Sequence, residues 1–225
     1  MINIHSYGTG AVFQWTREYL LKVLTTGSNP VVTDPTLINA LNKIDRRDFL
    51  DDTLKPQAYN DVELSISYGE KLNKPTVIAQ MLAILKPKYG GKYLDIGTGT
   101  GFSAMVMAFV AGAEGHVYTI ERVQWLWEKA SLYAKAYNDI HNIDFLYRDG
   151  MEGLMTYAPY DGIHIAFALE IVPENLKMQL KPNNGRLICP TQDMNLRVIE
   201  RKSLEEFEEE IVPGFIFDAG KVGLA

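Results

Sequence analysis

The chain reads as an α/β protein with a doubly wound, mostly parallel sheet, and three observations carry that reading. Tyr93-Leu94-Asp95-Ile96 is a short apolar run that stops at Gly97-Thr98-Gly99-Thr100-Gly101, and Ser103 to Ala111 is then apolar and helix-compatible. From that point strand-like and helix-like stretches alternate, as parallel strands with helical crossovers require. Acids also recur where successive strands end: Asp95, then Glu121, then Asp149.

Taken in order, residues 1–10 form a loose start in which Gly8 and Gly10 discourage regular structure. Val12 to Thr25 has a helical rhythm of apolar residues, closed by Gly27-Ser28-Asn29-Pro30. Asp34 then caps a second helix, with Pro35 at its first position and Leu37, Ile38, Leu41 and Ile44 as its stripe. Asp45-Arg46-Arg47-Asp48 balances its charges and is expected to be a solvated turn. Residues 49–75 show little periodicity apart from the alternating Val62, Leu64 and Ile66, and irregular segments of that length are often functional. Pro75 opens a helix that Pro87 and Gly90-Gly91 end.

Beyond the glycine loop, strands are expected at His116–Glu121, Asp144–Tyr147, Gly162–Phe167, Gly185–Cys189 and Leu196–Arg201. A helix with Leu126, Ala130, Tyr133, Ala134 and Tyr137 on one face follows the first of these, and Glu174–Leu180 is a shorter one. Glu205 to Glu210 reads as a solvated acidic face near the last strand pair. The expected division is an N-terminal helical and loop extension, residues 1–75, followed by one compact unit, residues 76–225.

Strand, glycine loop and helix N-terminus put orphan backbone N–H groups at the carboxyl end of a sheet, which is a nucleotide-type site. Gly99 to Ala104 fits the dinucleotide pattern G-x-G-x-x-G/A, whereas Asp95 to Gly101 fits acid-x-Gly-x-Gly-x-Gly. Asp95 favours the second. A pyrophosphate has no use for a carboxylate beside the loop, while S-adenosylmethionine carries an ammonium and no phosphate. A loop without a ligand would waste three conformationally costly glycines. Glu121 suits both ribose hydroxyls of an adenosine, which either cofactor would offer, and Asp149-Gly150 suits the adenine amino group. The expected cofactor set is Asp95, Gly97, Thr98, Gly99, Gly101, Glu121, Arg122, Asp149 and Gly150.

Composition bounds the rest. The chain has 225 residues with 47% hydrophobic and 22% charged content, ordinary for a soluble globular protein. Acids outnumber bases by 28 to 22, which argues against a general nucleic-acid surface. Cys189 has no partner and sits in an apolar run, so it reads as a buried strand residue. The four histidines, His5, His116, His141 and His164, are scattered without zinc-site spacing, and no metal is implied. No signal pattern opens the chain and no apolar run approaches the ~20 residues of a membrane span, so a cytoplasmic protein is expected.

Several stretches together resemble the protein-L-isoaspartate O-methyltransferase family. They are Ala58-Tyr59-Asn60-Asp61, Ser67 to Pro75, Leu94 to Gly101, Val117 to Arg122, Arg148-Asp149-Gly150, Ala158 to Asp161 and Leu180 to Leu187. The resemblance runs roughly from Asp34 onward. It implies the seven-stranded, Rossmann-like sheet of class I methyltransferases, S-adenosyl-L-methionine as cofactor, and repair methylation of an isoaspartyl carboxylate on a protein or peptide. The chain departs from the family where the acceptor would bind. Asn73 replaces the family's serine, with Lys71 and Lys74 beside it; Ala166-Phe167-Ala168 replaces smaller residues; Phe215-Ile216-Phe217-Asp218 stands for the C-terminal pocket segment. Lys71, Asn73, Phe167 and Phe217 are therefore the implied substrate-binding residues, with Asn73 nearest the chemistry. Asn73 would donate to the acceptor as a serine hydroxyl does, or merely start the Pro75 helix. Lys71 and Lys74 would attract an acidic substrate or point to water. Two other readings stay open: a methyltransferase for a different acceptor, and a non-catalytic cofactor-binding module.

Overall fold

The structure, a computed structural model, describes residues 14–225. Residues 1–13 lie outside it, including the expected loose start and the first residues of the expected Val12–Thr25 helix. Two short helices come first, α1 (Arg17–Thr25) and α2 (Pro35–Lys43). Thr16 caps α1 through Tyr19 N–H, and Asp34 caps α2 through Leu37 N–H with Pro35 at the first position. A hairpin follows, β1 (Leu64–Ser67) and β2 (Glu70–Leu72), then α3 (Pro75–Leu85). The expected boundary after residue 75 thus cuts α3 at its first residue, and one hydrophobic cluster runs from Leu20 through Leu82 to Phe215 across it.

The main domain continues as β3 (Lys92–Ile96), α4 (Phe102–Ala111), β4 (His116–Glu121), α5 (Gln124–Ala134), β5 (Ile143–Tyr147) and β6 (Gly162–Ile165). It ends with α6 (Glu174–Met178), β7 (Gly185–Thr191), β8 (Asn195–Arg201) and β9 (Phe207–Pro213). Seven strands form one sheet in the order β5-β4-β3-β6-β7-β8-β9. Pairings among β5, β4, β3, β6 and β7 are parallel, and β8 is antiparallel to both neighbours. The strand order reverses at β3, where chains leave toward β4 on one side and β6 on the other. That crevice is where such sheets bind ligands. Among the described residues no helix is long and apolar enough to cross a membrane.

Three expectations change. The strand expected to reach Phe167 ends at Ile165, because Phe167 turns its ring between Gly97 and Gly220. The acidic stretch is exposed as expected but is part of a strand: β9 carries Glu208, Glu209 and Glu210, with Lys202 and Arg197 paired to Glu208 and Glu209 at 2.8 and 3.2 Å. Asp45 to Asp48 is only partly a solvated turn, with Arg47 and Asp48 exposed. Arg46 is 3% exposed there, in a 3-10 turn spanning Arg46–Phe49. The Tyr137 hydroxyl accepts from Asp45 N–H and donates to Asp48 Oδ2, both at 2.7 Å, and the Tyr59 hydroxyl donates to Asp45 at 3.0 Å. Charge balance suggested water; Tyr59 and the distant Tyr137, 92 residues from Asp45, supply bonds as well.

Tyr137 thereby fastens the N-terminal extension to the sheet domain. Tyr137→Phe removes one donor and one acceptor at once and should cost about 1–3 kcal/mol of stability. Denaturant titration should show the lower midpoint with an unchanged slope.

Candidate active site

The cleft lies over the carboxyl ends of β3, β4 and β6 and holds about 970 Å³, counting volume open to solvent. Its floor is the glycine loop. Gly97, Gly99 and Gly101 adopt φ of +94°, +55° and +95°, a region L side chains rarely visit, so glycine is required for the turn itself. Gly97 N–H and Thr98 N–H both donate to Ile120 O, which docks the loop on the end of β4.

Glu121 reaches under the loop from β4. Its Oε2 accepts from Gly99 N–H at 2.8 Å and its Oε1 from Val123 N–H at 2.9 Å. Burial raises its carboxyl above the ordinary value; bonds from the Val123, Gly99 and Arg122 N–H groups oppose that, while nearby Glu70 adds to it. Asp95 is not in the cleft lining. It is 1% exposed and meets His164 Nδ1 and the Thr119 hydroxyl, both at 2.6 Å. Asp149 also lies outside the cleft lining, where its carboxylate accepts from Met151 N–H at 3.0 Å and Gly223 N–H at 2.6 Å. The C-terminal residues run across the same strand ends: Arg122 Nε donates to Gly223 O, and Ala225 pairs with Arg122 and Gln124 through the backbone.

Of the expected cofactor set, Gly97, Thr98, Gly99, Glu121 and Arg122 line the cleft, and Asp95, Gly101, Asp149 and Gly150 do not. All four expected substrate residues, Lys71, Asn73, Phe167 and Phe217, line it. Lys74 does not. Lys71 is already paired, with Asp218 at 3.0 Å and Glu63 at 3.6 Å, and those carboxylates raise its pKa. Lys221–Glu70 at 2.9 Å is a second ion pair between the hairpin and the C-terminal segment, so those two stretches face each other over the cleft.

Two residues that matter were not singled out by sequence. His164 lines the cleft behind Phe167, though it read as one scattered histidine. Only the alternation of β6, placing residue 164 on the face of Asp95, hinted at it. Arg46 donates through Nη2 to Asn73 O at 2.8 Å and lies 5.9 Å from the centre of the Phe102 ring, while its Nε and Nη1 have no partner. Burial pulls its pKa down to about 9 against the field of Asp61, so it remains a cation at neutral pH. Asp61 in turn accepts from Thr76 N–H and the Thr76 hydroxyl and so caps α3, which has no side-chain cap of its own at Lys74. Together these fix the backbone of the Asn73 loop.

Phe167 is wedged by two glycines. A Cβ on Gly220 would stand 2.4 Å from its ring, and one on Gly97 would stand 3.1 Å away. Gly220→Ala should therefore displace the ring and destabilise the protein by about 1–3 kcal/mol, read as a lowered Tm.

The family model for protein-L-isoaspartate(D-aspartate) O-methyltransferase matches residues 17–217. A protein-L-isoaspartate O-methyltransferase of Fervidobacterium nodosum is 37% identical over 176 residues, covering 77% of this chain and 87% of that one. Its counterpart from Ignicoccus hospitalis is 40% identical over 179 residues, covering 79% and 82%. A solved protein-L-isoaspartate O-methyltransferase superposes with a TM-score of 0.77 at 26% identity, covering 92% of this chain and 67% of that one. A Plasmodium falciparum structure holding S-adenosyl-L-homocysteine shares the fold, with a TM-score of 0.74 at 22% identity over 85% of this chain and 92% of that one. With most of its length matched by the family model, the chain belongs to the protein-L-isoaspartate(D-aspartate) O-methyltransferase family.

Proposed function

We propose that the chain methylates the isoaspartyl carboxylate of damaged proteins or peptides, with S-adenosyl-L-methionine as methyl donor. The observation that carries this reading is a single cleft in which the glycine loop and Glu121 stand together with Asn73, Phe167 and Phe217. The residues suit the cofactor. Glu121 accepts from Gly99 N–H and Val123 N–H through different oxygens, with Arg122 N–H also close, which leaves part of its roughly four acceptor sites for ribose hydroxyls. Asp149 spends two of its roughly four acceptor sites on Met151 and Gly223, which leaves room for an adenine amino group. At Gly99 a Cβ would meet only Ile66, at 3.7 Å, so the bare backbone there lets a ligand come close.

When bound, the sulfonium supplies an electrophilic methyl group. The acceptor carboxylate is ionised at neutral pH, so no general base is required of the protein. What the chain supplies is alignment and dryness. Phe167 and Phe217 wall the cleft, and the Asn73 amide, on a loop held by Arg46, is the donor for the incoming carboxylate. Lys71 shares its charge with Asp218 and Glu63, so it contributes to the clasp more than to attraction. A protein acceptor, no nucleic acid, and action in the cytoplasm belong to the same proposal; the excess of 28 acids over 22 bases supports the second of these.

Turnover of an isoaspartyl peptide with labelled cofactor is the direct test, and its absence beside turnover of other acids would favour a different acceptor. The bulk of Phe167 at the cleft is the observation behind that second reading. Asn73→Ser should keep the activity, whereas Asn73→Leu should lower kcat/KM about tenfold, with unchanged affinity for S-adenosylhomocysteine. Glu121→Ala should weaken that affinity by about 1–3 kcal/mol in calorimetry.

The raised Glu121 carboxyl also sets a pH dependence. In the folded protein the group holds its proton above the ordinary carboxyl value, so its contribution to stability is present at low pH and lost as pH rises. Ribose hydroxyls donate to the ionised form and so lower its pKa on binding. Affinity should accordingly rise with pH across the range just above the ordinary carboxyl value, with proton release that differs between calorimetry buffers. Glu121→Gln should abolish the release.

A further inference from the structure

Asp95 pairs in register with Thr119 on one side and His164 on the other, so the three side chains form a row across β4, β3 and β6. Both carboxylate oxygens are used within that row, by the Thr119 hydroxyl and by His164 Nδ1. Thr119 has one proton and spends it on Asp95; the 2.6 Å contact with the Thr98 hydroxyl is therefore donated by Thr98. With Asp95 accepting, a ring proton of His164 sits on Nδ1, and in the neutral imidazole Nε2 is then an acceptor. His164 is 2% exposed and lines the cleft beside Gly97, Ala166 and Phe167. Its Nε2 has no hydrogen-bond partner among the described residues and is not among the atoms sealed from solvent.

The other acids of the cleft are already engaged. Glu63 and Asp218 share Lys71, Glu70 meets Lys221 at 2.9 Å and Arg122 at 3.5 Å, and Glu121 is bonded to backbone N–H groups. Asp95, beneath the lining, has no Lys or Arg beside it, and His164 connects it to the cleft. His164 and Glu121 stand two strands apart, about 9.6 Å across the sheet, which separates the amino-acid end of a ligand from its ribose.

We propose that His164 Nε2 is the acceptor for the α-ammonium of the cofactor, with Asp95 acting through the imidazole as a positioning residue. This rests on the S-adenosyl reading above. Two probes separate the contributions: S-adenosylhomocysteine, which carries the ammonium, and 5′-methylthioadenosine, which keeps the adenosine and the thioether but lacks the amino acid.

In the native protein labelled with ¹⁵N-histidine, S-adenosylhomocysteine should shift the Nε2 resonance of His164, and methylthioadenosine should leave it in place. In calorimetry, His164→Phe should weaken S-adenosylhomocysteine about tenfold or more while methylthioadenosine changes by less than about twofold. A structural role alone would weaken both probes alike, and that result overturns the proposal. So does a bound S-adenosylhomocysteine that leaves the Nε2 resonance unmoved, a measurement that needs no variant to fold. If the native protein binds neither probe, the cofactor reading itself fails, an outcome distinct from binding without His164.

Discussion

A carboxylate sealed under a glycine loop is costly unless donors meet both of its oxygens, and the centre of this molecule is arranged around that need at Asp95. An unpaired ion at that depth would be expensive by several kcal/mol. Thr119 and His164 meet it from the two neighbouring strands, and Thr98 joins the network from the loop above. One buried charge thus ties three strands to the turn that leaves the middle one. The loop's position is set from below by this row and from the side by Glu121, whose two oxygens bracket Gly99 and Val123. Apart from Thr98, the loop takes part through its backbone, and its three glycines answer the positive φ of the turn.

The roof of the cleft is held differently. Lys71–Asp218 and Lys221–Glu70 join the hairpin to the C-terminal segment with side chains roughly 30% to 60% exposed, where ion pairs are worth little individually and less in salt. Floor and roof therefore differ in rigidity. A rigid floor keeps the cofactor residues in place, and a weakly clasped roof can yield to the irregular backbone of a damaged peptide.

Much of the main domain was legible in the sequence because its signals are local. Apolar runs ending in glycine gave β3 and its loop, Asp34-Pro35 gave the start of α2, and Pro75 the start of α3. The residues at the cleft were legible through spacing and family resemblance. What escaped depends on partners far along the chain. Arg46 read as one of four cancelling charges, since its bond to Asn73 O and its neighbour Phe102 cannot be seen from a tetrapeptide. His164 read as isolated because its partner Asp95 lies 69 residues earlier and meets it only through strand register. Of the three strand-end acids only Glu121 lines the cleft, while Asp95 and Asp149 turn to protein donors that only the assembled sheet and the C-terminal residues provide. β9 was masked by its glutamates, which edge strands tolerate because one face meets water.

Arg46 grips the carbonyl of residue 73 and leaves its side chain free. A backbone carbonyl is the same whatever residue bears it, so the anchor is indifferent to what is mounted on it. The family's serine can become asparagine here without the loop losing its place, because location and chemistry are encoded at different positions in the chain. Position 73 behaves as an interchangeable fitting on a fixed mount, and divergence toward new acceptors has a path that leaves the scaffold untouched.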